Sequence, residues 1–168
     1  MDERRARFER IWWDCASAVA AYVRRRAPAD AVEDAVAETF LVAWRRLDRV
    51  PGEPLPWLYG VARRTLANQR RSQARRAALT TRLRLELPAV ATDLGDERIL
   101  DALGALTERD RELLTLVAWE GLTCAEAAIA LGSSPVACRV RLHRARRRLA
   151  VALDHAAPRL GTTPKEAR

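Results

Sequence analysis

Between Thr123 and Leu149 the chain reads TCAEAAIALGSSPVACRVRLHRARRRL, an order of caps, turn and stripe that few folds accommodate. Thr123 opens T-C-A-E, in which Glu126 at the third helical position completes a capping box. Ala127, Ala128, Ile129 and Leu131 then make a short apolar helix whose small side chains suit close packing. Gly132 supplies a turn and Ser134 the next cap. Pro135 fits a first helical position, where its missing N–H loses nothing. In the helix that follows, Cys138, Leu142, Ala145 and Leu149 recur every three or four residues and form the inward stripe. Val136, Arg139, Val140, His143, Arg144 and Arg147 run around the other side. The arrangement is a helix–turn–helix, whose second helix enters the major groove while the first buttresses it. Arg139 is the candidate for a base edge, and Val136 and Val140 suit thymine methyl groups. Arg144, Arg146, Arg147 and Arg148 are candidate phosphate contacts, which position a protein without reading sequence.

The distribution of charge points to the same kind of partner. The 168 residues carry a net charge of +8, which attracts polyanions but says nothing of fold. From Val61 to Leu85 there are eight arginines and no acid; from Glu86 to Glu126, ten acids and three arginines; from Ala127 to Leu153, six arginines and no acid. Two basic blocks separated by an acidic bridge predict two separate contacts with nucleic acid, provided each block lies on an ordered helix.

Phe8 to Arg26 reads as a helix with an apolar stripe of Ile11, Cys15, Ala18, Val19 and Tyr22 or Val23. Pro28 ends it, and Asp30 is placed to cap the next by accepting exposed backbone N–H bonds. From Ala31 to Leu47, Val32, Val36, Phe40, Ala43 and Leu47 share one side, widened by Trp44, which contributes a large buried area. The opposite side carries Asp34, Glu38, Leu41 and Arg45 at spacings of four, three and four. That face has two readings. One is a solvated acidic surface favoured near a helix start by the dipole. The other is a docking patch for a basic protein partner, with Leu41 as its apolar centre.

DRVPGEP, Asp48 to Pro54, is a loop by composition, and Pro56 sits just before or in the first turn of another helix. Leu58, Val61, Ala62, Thr65 and Leu66 form its buried stripe. Arg63, Arg64, Asn68, Arg70 and Arg71 supply donors around its other faces, continued by Arg75 and Arg76. Arginine grips phosphate with two parallel hydrogen bonds, and asparagine can read a base edge. Trp57 and Tyr59 either stack on unpaired bases or anchor the core, the structural role being favoured for Trp57.

Pro88, Gly95 and small residues mark a boundary over 87–95. Beyond it, Asp96 to Leu106 is a short amphipathic helix. Thr107 and Asp110 resemble a cap for the next, whose stripe is Leu113, Leu114 and Val117 and which Trp119 and Gly121 close. Pro158 to Arg168 reads as a flexible tail. Cys15, Cys124 and Cys138 lack metal-ligand spacing, and with His143 and His155 they do not make up a zinc site. They read as structural or incidental thiols, with redox sensing as the other reading. No glycine-rich phosphate loop, carboxylate cluster or nucleophile–base pair is present, so the expected activity is binding rather than catalysis, with no cofactor or metal. Ala127 to Cys138, the longest uncharged run, is far short of a membrane span. The arginine-rich start lacks a signal-type apolar core, and retention in the cytoplasm is expected.

Three stretches resemble the bacterial RNA polymerase sigma factors of the extracytoplasmic-function (ECF) group. DAVEDAVAETFLVAWRRL, Asp30 to Leu47, resembles the helix that engages the polymerase clamp. PWLYGVARRTLANQRRSQARR, Pro56 to Arg76, resembles the promoter-opening and minus-ten segment. GLTCAEAAIALGSSPVACRVRLHRARRRL, Gly121 to Leu149, resembles the domain that reads the minus-thirty-five element. The resemblance implies an all-α fold of two small helical domains, 5–86 and 96–153, with a linker at 87–95 and a tail at 154–168. It implies that Asp34, Glu38 and Leu41 meet the clamp, and that the loop from Asp48 to Glu53 approaches a flipped base. Arg63, Arg64, Asn68 and Arg71 would guide the melted nontemplate strand. Val136, Arg139, Val140, Arg141, His143, Arg144 and Arg147 would meet the upstream duplex. Core RNA polymerase, promoter DNA and an anti-sigma factor are the implied partners. The recognition helix departs from the S-x-x-T-V-K-S-R-L of such proteins: Ala137 and Val140 replace hydroxyl residues and remove polar contacts, favouring a T-rich element, while Cys138 replaces a branched core residue without disturbing the fold. A stand-alone helix–turn–helix regulator accounts for Gly121 to Leu149 but leaves the first half's acidic patch and basic helix unexplained. A protein-interaction module without DNA affinity accounts for less.

Overall fold

The computed structural model describes residues 2–79 and 97–156, which form seven α-helices with no strand among the described residues. The joint expected at 87–95 and the residues from 157 onward lie outside them. Helices α1 (Asp2–Arg24), α2 (Val32–Arg45) and α3 (Pro54–Leu79) pack pairwise into one unit. Helices α4 (Glu97–Gly104), α5 (Glu108–Ala118), α6 (Cys124–Leu131) and α7 (Pro135–Ala156) form the second.

In the first unit the apolar stripes do the packing: Ile11, Cys15, Val19, Tyr22 and Val23 of α1 meet Ala35, Phe40 and Ala43 of α2 and Leu58, Ala62 and Leu66 of α3. Helix α1 starts six residues earlier than its stripe suggests. Asp2 and Glu3 complement the dipole of its first turn, and Arg5 pairs with Glu9 one turn on at 2.8 Å. Two further arginines tie this start to the α2–α3 connection. Arg4 donates to the Trp44 carbonyl at 2.8 Å, and Arg7 to that of Val50 at 2.6 Å.

Two expectations fail here for tertiary reasons. Trp44 is 38% exposed, because it caps the outer edge of the α1–α2 seam instead of entering it. Its ring stands edge-on to Phe8 at 5.3 Å and beneath the Arg4 guanidinium. Asp30 caps nothing through its side chain, since the chain enters α2 through a single 3-10 turn over Ala29–Ala31.

The second unit follows its local signals. Thr107 accepts from the Asp110 N–H, and Thr123 and Glu126 complete both bonds of the capping box. Gly132 takes φ 65°, a left-handed turn that suits glycine, and Ser134 accepts from the Ala137 N–H at 3.2 Å to start α7. Arg111 donates to the carbonyls of Leu103, Gly104 and Leu106, satisfying the end of α4. Ile129 is half exposed, and it is Ala127, Ala128 and Ala130 that bury the α6 face. Helix α7 continues through residues 154–156, assigned above to the tail, and Ala102 and Ala105 of α4 lie beside Val151, Ala152 and His155 of its final turns.

The two units also touch: α3 packs against α6.

Candidate nucleic-acid interface

Three surfaces carry the residues singled out by pattern and resemblance. On α2, Asp34, Glu38 and Leu41 lie exposed along one face. Leu41 is 39% exposed, an apolar centre among acids.

Between α2 and α3 opens a cleft of about 740 Å³, into which Glu38, Arg46, Arg49, Trp57, Arg64 and Asn68 face. Arg71 donates to Asn68 Oδ1 at 2.5 Å, leaving the amide NH2 of Asn68 as the outward donor. Partial burial and the neighbouring guanidiniums of Arg63 and Arg46 push Arg64 below its ordinary value while leaving it charged at neutral pH. A cleft with three arginines, an amide and an indole wall offers phosphate grips beside a stacking surface. Trp57 is half-buried and serves both core and cleft, whereas Tyr59 is buried against Tyr22 at 4.9 Å and has no face to offer a base.

Arg46 and Arg49 escape a reading by periodicity. One follows the last turn of α2 and the other lies in the connecting turn, so neither belongs to a helical stripe. Arg49 falls in the loop from Asp48 to Glu53 that the resemblance brings to a flipped base, and Arg46 lies just before it. Arg63, one residue before Arg64, faces away from this cleft. It lines a separate cavity of about 290 Å³ with Arg109, Leu131, Ser133 and Arg141. The four minus-ten candidates are thus divided, with Arg64 and Asn68 on the cleft, Arg71 bonded beside them, and Arg63 apart.

On α7 the stripe Cys138, Leu142 and Ala145 is buried, and Val136, Arg139, Val140, His143, Arg144 and Arg147 are exposed. Val136 is 68% exposed, a large apolar side chain with no packing role, as a methyl-reading contact requires. Arg148 does not join the phosphate candidates. Its guanidinium pairs with the buried carboxylate of Asp110 and fastens α7 to the start of α5.

Among the described residues no group of three potential ligands could hold a metal, and no helix is long and apolar enough to cross a membrane. Burial pushes the thiols of Cys15 and Cys138 up, which makes them poor nucleophiles.

Residues 14–76 match the family model for sigma-70 region 2, and residues 96–149 match that for sigma-70 region 4. RNA polymerase sigma factor NccH of Alcaligenes xylosoxydans xylosoxydans is 32% identical over 140 residues, covering 76% of this chain and 75% of that protein. The ECF RNA polymerase sigma factor SigK of Mycobacterium ulcerans is 29% identical over 134 residues, 73% of this chain and 72% of SigK. A solved structure of CnrH in complex with the cytosolic domain of CnrY superposes with a TM-score of 0.61 at 30% identity, covering 88% of each chain. Both helical units, in this order and with these relatives, place the chain in the extracytoplasmic-function group of the sigma-70 family, the factors that join bacterial core RNA polymerase and direct it to promoters.

Proposed function

We propose that the three surfaces divide the work of initiation. The α2 face of Asp34, Glu38 and Leu41 docks on the polymerase clamp. The α2–α3 cleft, with Arg64, Asn68, Arg46, Arg49 and Trp57, receives the melted nontemplate strand, and Arg71 orients Asn68. The outer face of α7, from Val136 to Arg147, reads the minus-thirty-five duplex. On this reading 5–86 and 96–153 are the region 2 and region 4 domains, joined by the linker at 87–95. The observation that carries it is the cleft, which sets arginines, an amide donor and an aromatic wall around a nucleotide-sized space beside the exposed α2 face. Unstacking a base costs roughly a few kcal/mol, so a site that holds it favours opening without ATP hydrolysis. The chain itself makes and breaks no bond; polymerase supplies the chemistry, in the cytoplasm where both act. A likeness to CnrH, solved in complex with the cytosolic domain of CnrY, supports a protein regulator of the anti-sigma kind here too.

Reconstitution with sigma-free core polymerase tests the division. Glu38 lines the cleft as well as the docking face, so its reversal perturbs both; Leu41→Asp is the cleaner probe. Leu41→Asp should abolish polymerase binding and leave binding to isolated minus-thirty-five duplex intact. The pair Arg64→Ala and Asn68→Ala should keep polymerase binding and lose open-complex formation. Polymerase binding that survives Leu41→Asp removes α2 from the docking role.

A further inference from the structure

Arg63 stands apart from the α2–α3 cleft, and the cavity it lines instead is built of one sign of charge. Its walls come from α3, α5 and the turn between α6 and α7, around a space of about 290 Å³. Arg63, Arg109 and Arg141 all line it, and among the described residues no acid does. Guanidinium groups stay charged at working pH, so three around one small volume repel each other. Ser133 and Ala137, at the start of α7, line it too, and they bring the positive end of a 22-residue helix to the same place. Arg63 is half-buried, and its Nε is buried with no hydrogen-bond partner among the described residues. A buried charged donor left without an acceptor destabilises the site that holds it.

The acids nearby are already engaged. A neighbouring cavity of about 260 Å³ shares Arg63 and Arg109 and is lined by Glu108 and Glu112. Glu112 accepts from the Tyr22 hydroxyl at 2.7 Å and from Arg26 at 3.4 Å, and Glu108 lies 3.9 Å from Arg70. Glu120 accepts from Arg26 at 3.1 Å and pairs with Arg25 as well. Among the described residues none of Arg63, Arg109 and Arg141 forms a salt bridge. Nor can the walls draw together. A Cβ on Gly60 of α3 would stand 2.9 Å from the Ala130 carbonyl oxygen of α6, so the two backbones already touch one turn before Arg63.

We propose that this cavity binds a small molecule carrying a phosphate or diphosphate group, at a site distinct from the surfaces that handle polymerase and promoter. An oxyanion there accepts from the Nε of Arg63 and from the forked donors of Arg109 and Arg141, and it lies at the positive end of α7. A cavity of this size admits a small ligand and not a duplex. Arg109 belongs to α5, off both proposed DNA-binding surfaces, so its part in the site is separable from promoter binding.

Titration calorimetry of the full chain with pyrophosphate, at fixed ionic strength, tests the proposal with Arg63→Gln and Arg109→Gln as variants. The wild type should bind a single pyrophosphate saturably, and each variant, which loses a charged donor, should bind it about tenfold or more weakly. Arg109→Lys keeps the charge but not the fork, and it should also bind more weakly than wild type. Circular dichroism should show the variants to be as helical as wild type. Binding to the minus-thirty-five duplex should be equal for wild type and Arg109→Gln. No saturable binding, or several weak sites that Arg109→Gln leaves unchanged, would overturn the site and leave only diffuse attraction to a cationic protein. Duplex binding that falls with Arg109→Gln while pyrophosphate is ignored would overturn it too, and would give these arginines to the DNA backbone.

Discussion

Arg139→Ala separates reading from folding at a single residue. The side chain is exposed and lies off the stripe of Cys138, Leu142 and Ala145 that holds α7 in place. Its removal strips no packing, so stability should change by no more than about 0.5 kcal/mol. A bidentate contact from arginine to guanine is worth about 1–3 kcal/mol of discrimination, or roughly 5- to 160-fold between right and wrong base. With core polymerase and a promoter library randomised across the upstream element, the preference at one base pair should collapse by that factor while the others persist. Arg144→Ala provides the contrast. As a phosphate contact it should weaken all sequences alike and flatten the dependence of log affinity on log salt by about 0.9. If Arg139→Ala leaves the ranking of promoters intact and only flattens that slope, Arg139 holds the backbone and reads nothing.

Two further outcomes concern stability. Asp110→Ala leaves Arg148, which is largely solvated, without its partner and should cost about 1–3 kcal/mol in urea unfolding; Arg148→Ala strands a buried carboxylate and should cost more, about 3–5 kcal/mol. The reverse order would mean that Asp110 is not buried as described. The chain has two tyrosines, and burial, with Glu112 adding to it at Tyr22, raises Tyr22 well above its ordinary 10, while burial first of all raises Tyr59 to about 12. The unfolded chain ionises first, so this stabilisation is complete below pH 10 and drains away as pH rises toward 12. Tyrosinate absorbance near pH 10 should therefore appear only together with unfolding, and its appearance near pH 10 in the still-folded protein would refute the burial.

What the sequence makes legible is what is local. The Thr123–Glu126 box, the positive φ of Gly132 and the Ser134-Pro135 start each depend on neighbours within four residues, and each is found where the pattern puts it. The inward stripes of α1, α3 and α7 are legible for the same reason, since one period fixes one face. The places of Trp44 and Arg148 are not legible in this way, because their partners, Phe8 and Asp110, lie 36 and 38 residues away. Arg26 and Glu120 are separated by 94 residues, and nothing in either helix's periodicity announces the other. Gly60 did offer a signal: a glycine interrupting an otherwise good helical pattern marks a close backbone approach, although not whose backbone comes near.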